Sequence, residues 1–206
     1  MKSGVKSVVK SGVKSGVFIT GTDTNVGKTV CSALIAKALL AQGKEVGYWK
    51  PIQTGLDSDR KTVLELSGLS ERNSPGACYE YPEPMAPGRA AKIHGDTIKL
   101  SKIATQWKEF SSDPFWIVEG TGGLLVPITE SETIAELAHA LGLPLVIVAS
   151  TRLGTMNHFL LTLEAARKRD LEVLGVLWVG DEDPGLEASL DPWLSNIPWV
   201  RRVPRL

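Results

Sequence analysis

The sequence predicts an α/β fold of three layers, a mostly parallel central sheet flanked by helices, and three observations carry this. Short β-branched strands alternate with helix-period segments from Val17 onward. The central strands are apolar on both faces, as strands covered by helices on either side must be. A glycine-bearing turn, Gly21 to Thr29 (GTDTNVGKT), joins the first strand directly to the first helix.

The first strand spans Val17 to Gly21, and the helix after the turn fits Lys28 to Gln42. A second strand follows at Glu45 to Trp49. Leu100, Ile103, Trp107 and Phe110 recur at helical spacing within a helix at Thr97 to Phe110, so they face the core. Strands at Phe115 to Glu119, Pro144 to Ser150 and Glu172 to Val179 then alternate with helices at Thr133 to Leu141 and Thr155 to Arg169. Proline and glycine cluster between Asn73 and Gly95, and again from Asp181 onward, marking both as loop-rich.

The 206 residues suit one domain over 17–206. Residues 1–16, an imperfect Lys-Ser-Gly-Val repeat, read as a flexible extension because they lack the apolar block of a secretory signal. With 23 basic and 23 acidic residues the chain is neutral, which argues against nucleic-acid or membrane partners held by bulk charge. The longest apolar runs, such as Leu143 to Ala149, are far shorter than the roughly 20 residues of a membrane helix. Cys31 and Cys78 have no metal-site spacing, so a soluble cytoplasmic protein with reduced thiols is expected.

In an open parallel sheet ligands bind beyond the carboxyl ends of the strands, so residues after Gly21, Trp49, Glu119 and Ser150 should converge. GTDTNVGKT is a P-loop: backbone N–H groups at a helix N-terminus meet phosphate charge with oriented donors. Gly27 allows close approach, Lys28 reaches the β and γ phosphates, and Thr29 offers its hydroxyl to Mg²⁺. Five residues separate Gly21 from Gly27, one more than the usual four. Lys50, after the second strand, either faces this site or is a solvated strand-end lysine. Asp57 and Asp59 lie in a polar loop beyond it. Glu119 ends an apolar strand beside Gly120-Thr121-Gly122-Gly123, read as flexible backbone. A carboxylate there needs a cation, either Mg²⁺ or an arginine. At Thr151 to His158 a strand tip turns into a helix whose first N–H groups are free for a carboxylate, with Thr155 a candidate N-cap. His94, His139 and His158 have no partner spacing and receive no role.

Taken together, GTDTNVGKT, YWKPIQTG, EPMAPGRAAKIHG, IVEGTGGLLVPI, STRLGTMNH and NIPW, in this order, resemble the dethiobiotin synthetase family from about Val17 to Trp199. The resemblance implies a P-loop NTPase fold and an ATP- and Mg²⁺-dependent ligase. Its reaction turns 7,8-diaminononanoate and CO₂ into dethiobiotin, ADP and phosphate through a carbamate and its phosphoric anhydride.

It further implies that Lys28 and Lys50 are catalytic, and that Thr29, Asp59 and Glu119 surround the metal. Asn25, Val26, Gly27, Lys28, Thr29, Val30, Gly120, Thr121, Gly122, Val179, Gly180, Ile197, Pro198 and Trp199 would line the nucleotide. Thr24, Lys50, Thr54, Gly154, Thr155 and Asn157 would hold the diamine, the last three across a homodimer interface. Two positions depart from the family, Asn25 where Glu is common and Val179 where an Asn reads adenine, which leaves base preference open. Two other readings share parts of the pattern. A cobyrinate-type amidating synthase would need a glutaminase domain for which 206 residues leave no room. A partition-type ATP switch usually carries a second lysine early in the loop, where this chain has Thr22, Asp23 and Thr24.

Overall fold

The structure, a computed structural model, describes residues 14–204. Of the tail expected over 1–16, residues 1–13 lie outside the described residues. In chain order the elements are β1 (Gly16–Gly21), α1 (Lys28–Ala41), β2 (Val46–Trp49), β3 (Ile52–Thr54), α2 (Asp59–Ser67), a 3-10 turn (Glu71–Asn73), β4 (Tyr79–Tyr81), α3 (Pro87–Ile93) and α4 (Leu100–Glu109). They continue as β5 (Phe115–Gly123), α5 (Ile134–Leu141), β6 (Leu145–Ser150), α6 (Thr155–Arg167), β7 (Val173–Val179), α7 (Pro184–Leu194) and β8 (Trp199–Val203).

Six strands form one sheet in the order β2-β5-β1-β6-β7-β8, every pair parallel. Alternation along each strand sorts the side chains onto two faces. Val17, Ile19, Tyr48, Ile117, Val146 and Val148 pack with Cys31, Ala33 and Ala36 of α1 and Val63 of α2. Phe18, Trp49, Trp116, Val118 and Leu145 face the other way, onto α3, α4 and α5, while Ile147, Ala149, Val176 and Trp178 meet α6 and α7. The fold is therefore the three-layer α/β arrangement that the strand pattern predicts. The Leu100, Ile103 and Trp107 stripe is buried, and Trp107 stacks on Trp49 with ring centroids 6.0 Å apart.

The structure corrects three readings. The segment from Asp181 onward is not loop: Asp183 accepts from the Leu186 N–H, Pro184 opens α7, and Leu186, Leu190 and Leu194 present one buried stripe before β8 closes the sheet edge. The proline-rich 73–95 segment holds β4 and α3, and β4 pairs with β3 in a separate two-stranded sheet. Asp59 starts a helix rather than lying in a loop, because Ser58 caps α2 by accepting from the Lys61 N–H and Gly68 ends it in the left-handed region at φ 75°.

Candidate functional site

Between β1 and α1 the chain turns through two residues in the left-handed region, Asn25 at φ 58° and Gly27 at φ 103°. Gly27 is the N-cap of α1 and makes no side-chain cap, so the first N–H groups of the helix stay open to an anion. Val26 is buried and anchors the loop, whereas Thr24 and Asn25 are exposed. Lys28, only 7% exposed, folds back over the loop and donates to the Asp23 carbonyl at 3.0 Å. Burial lowers its pKa, with the Glu119 charge opposing. Val30 continues α1 behind it.

Beside Lys28, at Thr29, two carboxylates and a second lysine meet. Thr29 Oγ1 lies 2.8 Å from Asp59 Oδ1 and 3.0 Å from Glu119 Oε1, one hydroxyl proton between two carboxylates. Lys50, beyond β2, ion-pairs with Asp59 and reaches Glu119 Oε1 at 3.3 Å. Burial alone would pull the Lys50 pKa down, but the two carboxylates outweigh it and the net shift is upward. Burial pushes the Asp59 pKa up, yet Lys50 and the Thr29 hydroxyl leave it lowered. Lys50 is thus neither solvated nor alone. Glu119 has no arginine partner among the described residues; its cation is this lysine.

Two lysines and two carboxylates sum to zero, so nucleotide phosphates entering here would bring uncompensated charge. The three convergent oxygens of Thr29, Asp59 and Glu119 form the hard donor set that Mg²⁺ prefers, and the residues therefore fit that ion.

The backbone after Glu119 is not a flexible opening. β5 runs on to Gly123, and a Cβ on Gly120 would fall 2.8 Å from Phe18 and 3.0 Å from Ile134, so that residue serves packing against α5. Thr121 donates its hydroxyl to the Ile52 carbonyl, tying β3, and with it Thr54, to the β5 tail. A Cβ on Gly122 would lie 3.7 Å from Thr24 Oγ1, which brings the phosphate loop against that tail.

Gly154, at φ 90°, is the N-cap of α6 without a side-chain cap. Thr155 is therefore not the cap; it is buried in the first turn, its hydroxyl without a partner among the described residues. Gly154 and Asn157 are exposed beside it. Arg152 pairs with Asp23, joining this turn to the phosphate loop.

The structure separates the residues expected to line the nucleoside. Val179 closes β7 against the loop, 3.1 Å from where a Gly27 Cβ would sit, and the Gly180 N–H donates to the Val203 carbonyl. Ile197, Pro198 and Trp199 are at the other edge. β8 is parallel to β7 with Trp199 opposite Gly175 and Val203 opposite Val179. Four strand steps, about 13 Å at about 3.3 Å each, separate Trp199 from the carboxyl edge of the sheet, where Val203 and then Pro204 stand instead. Sequence reading missed this because two Pro-containing blocks flank β8 and only the strand register tells which end each occupies. It also missed Ser32 and Tyr48, which donate to Glu119 Oε2 at 2.9 and 3.1 Å. The spacing of Ser32, three residues past Thr29 on one face of α1, was the available signal.

The AAA domain family matches residues 15–205. The ATP-dependent dethiobiotin synthetase of Brucella anthropi is 41% identical over 190 residues, covering 91% of this chain and 85% of that protein. Its counterpart in Rhodopseudomonas palustris (strain BisA53) is 43% identical over 193 residues, covering 92% and 84%. Among solved structures a ParA family ATPase from Chlorobium tepidum aligns with TM-score 0.56 over 94% of this chain and 85% of that one, at 11% identity, a likeness of fold. Relatedness of this depth along nearly the whole chain, with a phosphate loop, lysine and carboxylates converging at one sheet edge, leaves one assignment: the chain belongs to the ATP-dependent dethiobiotin synthetase family.

Proposed function

We propose that the protein closes a cyclic urea, converting 7,8-diaminononanoate, CO₂ and ATP to dethiobiotin, ADP and phosphate. The observation that supports this best is the Lys50 ammonium, buried between Asp59 and Glu119 one step from the phosphate loop. One substrate amine captures CO₂ and loses a proton, giving a carbamate. That anion is a poor electrophile until a phosphoryl group converts its oxygen into a leaving group. The second amine then attacks the carbonyl carbon and expels phosphate, closing the ring.

Lys28 steadies the transferring phosphoryl group and Lys50 the carbamate and the phosphate charge that develops on it. Thr29, Asp59 and Glu119 would hold Mg²⁺, which supplies further neutralisation of phosphate charge. Thr24 and Thr54 contact the diamine. The N-terminus of α6 at Gly154, Thr155 and Asn157 receives its carboxylate, and Val179, Gly180, Val203 and Pro204 border the nucleoside. The exposed Leu153 and Met156 beside that helix terminus support a homodimer through this face. No helix of the described residues is long and apolar enough to cross a membrane, and Cys31 and Cys78 are free thiols. Action in the cytoplasm belongs to the same proposal.

Incubation with ATP, Mg²⁺, bicarbonate and 7,8-diaminononanoate should yield dethiobiotin by mass spectrometry, with ADP formed in equal amount. Folded protein that makes none overturns the proposal. ATP turnover that ignores the diamine but rises with a second protein would indicate a switch.

A further inference from the structure

Glu119 is a carboxylate without solvent contact, and its two oxygens live in different surroundings. Oε1 faces the site, toward Thr29 and Lys50. Oε2 faces inward and is gripped by two hydroxyls, Ser32 from α1 at 2.9 Å and Tyr48 from β2 at 3.1 Å. Both residues are fully buried.

A carboxylate on a two-methylene tether can rotate about its last bond and exchange its oxygens. Two donors converging on one oxygen from different elements remove that freedom and fix which lone pairs point at the site. Tyr48 and Trp49 point to opposite faces of the sheet, so Trp49 locks into the aromatic cluster while Tyr48 is carried toward α1. The Tyr48 ring packs in the core and its hydroxyl is the one polar atom it brings there.

We propose that Tyr48 and Ser32 are positioning residues for Glu119, holding Oε1 in the orientation that a divalent cation needs beside Thr29 and Asp59. This rests on the reading of Thr29, Asp59 and Glu119 as the cation's oxygen set. Neither residue touches substrate or nucleotide in this reading. Their effect passes through the geometry of one carboxylate, as outer partners of metal-binding groups commonly act.

The test uses Tyr48→Phe, which keeps the ring and removes one donor, and Ser32→Ala. Binding of ADP to the intact protein is followed by calorimetry across a Mg²⁺ titration, a measurement that needs no product formation. In Tyr48→Phe the Mg²⁺ concentration that half-saturates nucleotide binding should rise about 10-fold. Affinity for ADP without Mg²⁺ should stay within about 2-fold. Saturating Mg²⁺ should restore wild-type nucleotide affinity, which loss of packing would not allow.

Ser32→Ala should shift the Mg²⁺ requirement in the same direction, so a folding failure of one variant leaves the other decisive. An unchanged Mg²⁺ midpoint in a folded variant overturns the proposal, as does an equal loss of nucleotide affinity with and without Mg²⁺. If wild type forms no dethiobiotin yet the midpoint shift appears, the positioning role stands and the proposed reaction fails.

Discussion

Lys28 and Lys50 carry equal charge in different surroundings, which supports the proposed division of work between them. Lys28 is bonded within the phosphate loop to the Asp23 carbonyl, whereas Lys50 is paired with two carboxylates. Lys28→Ala should therefore weaken nucleotide binding and product formation together. Lys50→Ala should keep nucleotide affinity within about 3-fold while dethiobiotin formation falls by about 100-fold or more, in line with loss of a preorganised charge stabiliser; equal loss of nucleotide affinity in both variants would contradict the division. The Lys50 and Asp59 pair also sets a pH window. The folded Asp59 pKa is lowered, so its contribution to stability is present above its unfolded value near 4 and is lost as pH falls through the folded value. The folded Lys50 pKa is raised, so its contribution is complete below the unfolded value near 10.5 and disappears as pH climbs through the folded one. Urea unfolding across pH should show Asp59→Asn less stable than wild type between about pH 5 and 9, with the gap closing toward pH 3. A gap independent of pH would mean that the pair is not its source. The types and order of Lys28, Thr29, Lys50 and Glu119 were legible from the sequence. The Lys50 partners were not, because Asp59 lies nine residues on and reaches Lys50 only through the placement of α2.

Elements with local signals were the legible ones. The α5 helix begins at a capping box in which Thr133 and Glu136 each bond the other's backbone, a signature written in four consecutive residues. The Ser58 cap and the Asp183-Pro184 start were written just as locally, yet each lies beside turn-forming residues that pull a composition-based reading toward loop. The edge strand β8 is another case. Trp199 lays its indole across Gly175, where an added Cβ would sit 2.3 Å from the ring. That contact pins the β7–β8 register, and through it Val203 stands beside Val179. Gly175→Ala should cost about 2 kcal/mol by chemical denaturation and raise the KM for ATP more than the KM for the diamine. A variant as stable as wild type would show that the indole can move aside and that the register has another origin.

At the scale of the whole molecule, the proposed diamine carboxylate subsite stands at the head of α6, next to the fully exposed Leu153. If that subsite is completed by a second copy, Leu153→Glu should shift the mass seen by light scattering from dimer toward monomer and raise the diamine KM by about 10-fold, a loss of about 1.4 kcal/mol of binding. ADP affinity should be untouched, since the phosphate loop lies within one chain. A wild-type protein that is monomeric and active would remove the dimer from the reading. By itself the sequence determined the layered sheet, the phosphate loop and the acid at the tip of β5. Alternation, strand length and turn chemistry are properties of neighbouring residues, and they survive without knowledge of the fold. Only the tertiary structure decided that Lys50, Asp59 and Glu119 form one ionic cluster, that Ser32 and Tyr48 grip the inner oxygen of Glu119, and that Val203 rather than Trp199 reaches the carboxyl edge of the sheet. Each depends on strand register or on the meeting of two elements, which are long-range consequences of packing that local pattern does not encode.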